Sequence, residues 1–411
     1  MRILYFSSRE CWPLNTGARL RDYHLAHQLA QHAEVSYLGL RMHNDPPAEP
    51  IPASSGIRSQ QVIDKDPSFS PGKLIRGFLG PVPVTLLNCI TPVATAALHR
   101  ILKSSAFDSV QLEGVHLLPY VKTIRELSPK TSIVCDWHNV ESEIMRRYAA
   151  TSGSLPRRLY ASRTAGLIED MELRLLRECD AHSVASGRER ERLLRREPKA
   201  DITTVGNGVD VAFHTDEAIA AASQAASPGA GNLLFVGSMD YHANVDGAVE
   251  FANHVWPVLQ AQPAFAGRKF VIVGRKPTPE VVALGRLPGV AVTGTVPDVR
   301  AYYRDALAVV VLLRVGSGTR LKILEALASG VPVVSTRLGA EGIDVTPGED
   351  ILFAETPDEF SAALTSLVDN GDLRRRLIAG ARRLVSAEYD WPILGKRLLE
   401  VHQRAAARIS S

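Results

Sequence analysis

The run Leu312-Leu313-Arg314-Val315-Gly316-Ser317-Gly318-Thr319-Arg320-Leu321-Lys322-Ile323-Leu324-Glu325-Ala326-Leu327-Ala328-Ser329-Gly330-Val331-Pro332-Val333-Val334 reads as strand, glycine-rich turn, helix, tight turn, strand. Gly316 and Gly318 permit a tight turn and a close approach of backbone to a ligand. Ser317 or Thr319 can cap the helix, whose first N–H groups attract a phosphate. The helix dipole contributes about 0.3–1 kcal/mol. A diphosphate with growing negative charge needs more, and an aimed cation in a dry site is worth roughly 3–4 kcal/mol. Arg320 and Lys322 are placed to supply it. Lys322 and Glu325 are three apart and share a helix face. Glu325 therefore faces the same ligand one turn deeper, where a carboxylate can accept both hydroxyls of a ribose.

Outward from this run, short apolar stretches alternate with helical patterns along the whole chain. Upstream, strands are expected at Ile3–Phe6, Val35–Leu40, Ser109–Leu112, Ser132–Cys135 and His182–Ala185. Gly17 to Ala30 reads as a helix, with Leu25, Ala26, Leu29 and Ala30 on one side. Leu159 to Leu176 reads as a longer one, with Leu167, Ile168, Met171 and Leu175 as its buried stripe. Ser186 can cap a helix running from Gly187 to Arg196. The Pro/Gly/Ser-rich stretches 46–52 and 66–83 read as loops. A low-complexity segment, 218–231, precedes a second strand series: Leu233–Val236, Phe270–Val273, Val290–Thr293, Ala308–Leu313, Val331–Ser335 and Ile351–Phe353. Alternation of this kind gives an α/β protein with parallel sheets and helical crossovers. Two Rossmann-like doubly wound domains are expected, 1–204 and 205–389, with the terminal helix 390–411 packing back on the first. Ligands bind at the C-terminal edges of such sheets, so a cleft between the domains is the default site.

Composition closes off other classes. The chain has 411 residues, 45% apolar and 22% charged, and a net charge of +3. That is an ordinary globular composition and gives no case for nucleic acid as a partner. Cys11, Cys89, Cys135 and Cys179 form no C-x-x-C pair, so neither a zinc site nor a disulfide framework is indicated and a cytoplasmic setting is expected. No apolar run approaches the roughly 20 residues of a membrane span. The chain contains no G-x-x-x-x-G-K-[ST], G-x-S-x-G or H-E-x-x-H. Asn15-Thr16-Gly17-Ala18 follows the first strand in place of G-x-G-x-x-G, which argues against a dinucleotide oxidoreductase.

Lys322 to Val334, K-x-L-E-A-x-A-x-G-x-P-V-V, carries a family resemblance. So do Asn207-Gly208-Val209-Asp210, Phe235-Val236-Gly237-Ser238-Met239-Asp240, Phe270 to Arg275 and Val292 to Val299. In this order the set resembles the GT-B glycosyltransferases of family 4, which are retaining and nucleotide-sugar dependent. Val236 to Tyr241, with Asn244 and Asp246, is similar to a bacterial branch associated with exopolysaccharide gene clusters. The resemblance implies transfer of a hexose from a nucleoside-diphosphate sugar to a glycan or lipid-linked acceptor, with no metal and no other cofactor. Glu325 matches the family's ribose-binding glutamate. The acid eight residues earlier is replaced by Ser317. The family's Arg and Lys after the first strand of the second domain match Ser238 and Asn244, which leaves Arg320 and Lys322 as the substitute cations. Val296 falls in the base-contacting loop. Gly17 matches the glycine that faces the diphosphate. His138, in Asp136-Trp137-His138-Asn139-Val140-Glu141, matches the strand-end histidine beside the donor sugar. Glu113, Arg19, Asn139 and Glu141 are the acceptor-side candidates.

Two other functions share the fold: a nucleotide-sugar 2-epimerase, and a non-catalytic nucleotide-sugar binding protein. Arg146, Arg147, Arg157, Arg158 and Arg163, interleaved with Tyr148, Leu155, Leu159 and Tyr160, can dock a helix on anionic lipid at the inner face of a membrane. A solvated face is the alternative. The first 200 residues carry a net charge of +6 and the remainder −3, which makes the first domain the place for an anionic partner.

Overall fold

Seven short β-branched and apolar runs make the first sheet: β1 Arg2–Ser7, β2 Glu34–Arg41, β3 Ser59–Asp64, β4 Ser109–Glu113, β5 Ser132–Trp137, β6 Ala181–Val184 and β7 Ile202–Thr204. Six make the second: β8 Asn232–Val236, β9 Phe270–Val273, β10 Val290–Gly294, β11 Ala306–Val311, β12 Val333–Ser335 and β13 Leu352–Phe353. The computed structural model describes all residues except 43, 44, 46, 66–70, 216–230, 305, 316–319 and 411. The low-complexity stretch 218–231 lies almost wholly outside the described residues.

The strand orders are β3-β2-β1-β4-β5-β6-β7 and β10-β9-β8-β11-β12-β13, and every pairing is parallel. Each is a doubly wound, Rossmann-like sheet, so each has a switch point where the strand order reverses: between β1 and β4, and between β8 and β11. The chain divides into two compact units, Met1–Asn207 with Trp391–Ser411, and Gly208–Asp390. The helix Trp391–Ser410 belongs to the first unit, where Trp391, Leu394 and Leu398 share a core with Ile3, Tyr5 and Leu25. The second unit has one continuous core from Val209 to Tyr389.

The helix Gly17–Ala30 has the expected bounds and is capped by Thr16, whose side chain accepts from the Arg19 N–H. Its buried face differs from the expected one: Arg21 and Asp22 lie in the core beside Leu25, Ala26 and Leu29. Ser186 caps Gly187–Arg196 as its residue type predicts. The long helix runs further, Leu155–Glu178, and buries Ala161, Thr164, Ala165 and Glu172 as well as Ile168, Met171 and Leu175. Leu167 is only half-buried. The stretch read as a loop from 66 to 83 contains a helix, Pro71–Leu79. Strands β3 and β7 are additional to the sequence reading. β3 is a polar edge strand, Ser-Gln-Gln-Val-Ile-Asp, with only one fully buried side chain, so no apolar run announces it.

Candidate functional site

Each unit gathers charged side chains at the C-terminal edge of its sheet, next to the switch point. In the first unit Ser7 ends β1, Arg9 follows it, Glu113 ends β4, and Asp136 and His138 stand at the end of β5. Helix Gly17–Ala30 brings Arg21 and Asp22 against them. His138 Nε2 lies 2.8 Å from Asp22 Oδ1 and 2.7 Å from Glu113 Oε2. The Arg9 guanidinium is 3.2 Å from the same nitrogen and 3.4 Å from Asp22. Ser7 Oγ donates to Asp22 Oδ2 at 2.7 Å. Arg21 is fully buried and bidentate on Asp136, at 2.8 and 2.7 Å, and also donates to the Gly206 and Val205 carbonyls.

Burial opposes charge on all of these groups, and their neighbours decide the outcome. Against burial, the Asp22 carboxylate raises the His138 imidazole to about 9, so His138 is a cation at neutral pH. Against burial, Arg9 and His138 hold Asp22 below the usual carboxylate range. Glu113 is pushed up to about 7 by burial and by the Asp136 and Asp22 carboxylates. The His138 side chain is 13% exposed, and it meets this cluster through Nε2.

Asp22, Glu113 and His138 have the composition of a metal site, and their ligand atoms lie within 4.8 Å of one another. The contacts are those of hydrogen bonds: one imidazole nitrogen faces both carboxylates at 2.7–2.8 Å, with a guanidinium beside it. A metal would take the lone pair of that nitrogen at about 2.0–2.1 Å. With the imidazole raised to about 9, that nitrogen carries a proton at neutral pH.

The other first-unit candidates fall around this cluster or away from it. Arg19 is held by Glu10, its Nη2 2.5 Å from Oε1, so its charge is already answered within the protein. Gly17 is the exposed first residue of its helix. Asn139 follows His138 directly. Glu141 opens the helix Glu141–Thr151, where burial and the neighbouring Glu172 raise its pKa.

In the second unit Gly316, Ser317, Gly318 and Thr319 lie outside the described residues. The helix after them begins at Leu321, and Arg320 holds the N-cap position with no side-chain cap, in place of the expected Ser or Thr. Arg320 is 4% exposed and donates from Nη2 to the Leu338 carbonyl at 3.2 Å, so it is partly spent inside the unit. Lys322 is half-buried. Its Nζ donates to Asn244 Oδ1 at 2.6 Å, and Asn244 Nδ2 donates to the Ser238 carbonyl at 2.9 Å. A Cβ on Gly237 would stand 2.9 Å from Lys322 Nζ and 2.8 Å from Asn244 Nδ2, so a side chain just after β8 would push both groups aside. No carboxylate lies within ion-pair distance of Lys322 among the described residues. Removal from water and the nearby Arg320 charge lower its pKa to about 7.

Glu325 sits one turn on. Burial raises its pKa, and the Tyr303 hydroxyl donates to Oε2 at 3.4 Å. Ser238 Oγ is turned to Asp240 Oδ1 at 2.8 Å. Val296 is half-buried beyond β10 and packs against the core. Sequence reasoning placed Lys322, Glu325, Asn244 and Ser238 in one neighbourhood, and the structure brings them together there. It missed Arg9, Asp22, Gly237 and Tyr303. The signal for Asp22 was available: it falls on the same face of its helix as Leu25, Ala26 and Leu29.

Two Rossmann-like units of this strand order match solved GT-B glycosyltransferases, and the chain has that fold. Sucrose-phosphate synthase from Thermosynechococcus elongatus superposes with a TM-score of 0.72 at 17% identity, over 99% of this chain and 100% of the other. Anabaena HepE, solved in complex with UDP, gives 0.67 at 14% identity, over 98% and 100%. These likenesses are of fold. In sequence, residues 230–370 match the family "Glycosyl transferases group 1". The MMP alpha-(1->4)-mannosyltransferase of Mycolicibacterium hassiacum is 33% identical over 97 residues, 23% of this chain and 24% of the relative. A GDP-mannose-dependent phosphatidylinositol monomannoside mannosyltransferase of Corynebacterium glutamicum is 34% identical over 87 residues, 21% and 23%. The match thus spans about a quarter of the length of these curated relatives. Together these findings show the GT-B fold and a partial sequence match to glycosyltransferases.

Proposed function

We propose that this protein is a retaining glycosyltransferase of family 4, of the bacterial exopolysaccharide-associated branch. It moves a hexose from a nucleoside-diphosphate sugar to a hydroxyl of a glycan or lipid-linked acceptor, and needs no metal. The observation that carries this reading is Lys322. An ammonium held by a neutral amide, with no carboxylate at ion-pair distance among the described residues, at the switch point of a doubly wound sheet, is a charge arrangement that an anionic ligand completes. The helix Leu321–Ala328 adds its dipole, and Arg320 adds positive potential.

In this reading the bond between the anomeric carbon and the diphosphate oxygen breaks, and Lys322 takes up the charge on the leaving group. The acceptor hydroxyl attacks from the face of departure and passes its proton to a diphosphate oxygen. Glu325 accepts the ribose hydroxyls. Ser238, Asn244 and Val296 lie on the donor side. His138, fixed at Nε2 by Asp22 and Glu113, orients the sugar, while Glu113, Arg19, Asn139 and Glu141 lie on the acceptor side.

A peripheral contact with anionic membrane at its inner face fits the exposed Leu155 and Leu159 beside Arg157 and Arg158. No helix among the described residues is long and apolar enough to cross a membrane. Liposome co-sedimentation tests the contact.

The experiment for the function is a screen of nucleotide sugars for thermal stabilisation, followed by transfer to lipid-linked acceptors. The anomeric coupling constant of the product then decides retention. Stabilisation by a nucleoside diphosphate and an α-linked product from an α-linked donor are expected. Absence of stabilisation by every nucleoside diphosphate tested sinks the reading.

A further inference from the structure

A line of buried polar side chains enters the first-unit cluster from behind. Ser109, Gln111 and Glu113 alternate along β4 and so share one face of the sheet. His402, on the helix Trp391–Ser410, packs on that face and is fully buried. Ser109 Oγ is 2.7 Å from His402 Nδ1, and His402 Nε2 is 2.8 Å from Gln111 Oε1. Gln111 Nε2 is 2.6 Å from Glu113 Oε1, and Glu113 Oε2 is 2.7 Å from His138 Nε2.

The hydrogen-bonding chemistry of these groups allows few arrangements. Gln111 Oε1 can only accept, so His402 Nε2 carries the ring proton. Burial holds His402 down to about 3, so the ring is neutral and Nδ1 accepts from the Ser109 hydroxyl. Gln111 then donates to Glu113, which must be a carboxylate at that oxygen. The opposite arrangement pairs every group but one, the Ser109 hydroxyl proton, which gains no acceptor among the described residues. If Glu113 gains a proton from solvent on Oε1, it donates to Gln111 Oε1 after the amide turns over. Gln111 Nε2 donates to His402 Nε2, the ring proton is exchanged through solvent to Nδ1, and Nδ1–H donates to Ser109 Oγ. Mixed arrangements leave two acceptors or two donors face to face in a buried site, which is costly.

We propose that Ser109, His402 and Gln111 form a positioning relay with two self-consistent hydrogen-bond directions, one for each protonation state of Glu113, and that the relay sets how firmly Glu113 holds His138. The proposal deepens the reading of His138 as the sugar-orienting group and rests on that reading only for its effect on transfer. The other charged and titratable groups that face Glu113 and His138 are Arg9 after β1, Tyr5 on β1, Arg21 and Asp22 on the helix Gly17–Ala30, and Asp136 on β5. None of them touches His402 or Gln111 in a hydrogen bond or ion pair.

The test uses the full chain with ¹⁵N-labelled histidine, and long-range ¹H–¹⁵N spectra from pH 5 to 9. His402 is expected to remain neutral and to change tautomer, from Nδ1–H at low pH to Nε2–H at high pH, with the midpoint at which the Glu113 carboxyl titrates. In Gln111→Met the tautomer should stop following pH. Glu113 then loses a donor to its charged form, so the Glu113 midpoint, read from the His138 ring shifts, should rise by about one pH unit. A single His402 tautomer across the titration of Glu113, or an unmoved Glu113 midpoint in Gln111→Met, overturns the relay. The wild-type spectra need no variant and no substrate. A tautomer change in a protein that transfers no sugar would leave the relay standing and remove the function, and transfer without the tautomer change would do the reverse.

Discussion

In the first unit three cations, Arg9, Arg21 and His138, face three carboxylates, Asp22, Glu113 and Asp136, at hydrogen-bond or ion-pair distance. In the second unit Lys322 meets the neutral amide of Asn244 and the face of the Phe235 ring, with Arg320 near it and the Glu325 carboxyl a turn away and raised by burial. Both clusters occupy the same place in the same kind of sheet. The first is neutralised by the protein and has a fixed geometry before any ligand arrives. The second leaves its charge for a ligand to neutralise. A buried pair broken on one side costs stability, whereas a buried charge without a counter-charge already costs it. The two clusters should therefore respond in opposite ways to loss of a cation.

Arg21→Met gives the largest expected effect. It leaves Asp136 buried and unpaired, and the cost of breaking such a pair is about 3–5 kcal/mol, read as a large drop in the urea midpoint. Lys322→Met should cost no stability and can raise Tm in the absence of ligand, while transfer falls by roughly 10²–10³-fold in kcat/KM. A Tm loss in Lys322→Met as large as that in Arg21→Met would break the contrast. Glu325→Gln should weaken nucleotide binding about tenfold by calorimetry, with Tm little changed, since a charge-assisted hydrogen bond is worth about 1.5–3 kcal/mol.

The smallest expected effect is on the pH dependence of stability. His138 is raised to about 9 in the folded chain, against about 6.5 when unfolded. Its contribution is complete below about pH 6.5 and is lost as pH rises through about 9. Between these values the wild type should lose more stability than His138→Gln, measured as urea midpoints at each pH.

The strands of the second unit were legible because they are apolar on both faces: Phe270–Val273 was found to the residue, and Ala306–Val311 lies within one continuous apolar run. β3 and Pro71–Leu79 were not, because an edge strand with polar side chains and a short helix within a Pro/Gly/Ser-rich stretch lack that signal. Lys322 and Glu325 could be placed together because a strand–turn–helix has one local geometry, whereas Asn244, 78 positions away, came in through the family resemblance. The partners of His138 could not. Arg9, Asp22 and Glu113 come from three elements up to 129 positions away, and His402 reaches Gln111 across 291. Polar residues on a buried face are the trace they leave: Ser109, Gln111 and Glu113 in alternation, and His402 among Leu398, Val401 and Ala405.

The sharpest test is the proton taken up when a nucleoside diphosphate binds. Free Lys322 has its pKa lowered to about 7, so at pH 8 it is mostly neutral. A bound diphosphate favours the charged ammonium and raises that value. Calorimetry of UDP and of GDP at pH 8, in two buffers of different ionisation enthalpy, should show uptake of close to one proton per nucleotide bound. The uptake should shrink at pH 6, where Lys322 is already charged, and vanish in Lys322→Met. Tight binding at pH 8 with no proton exchange would contradict the assignment of Lys322 to the diphosphate.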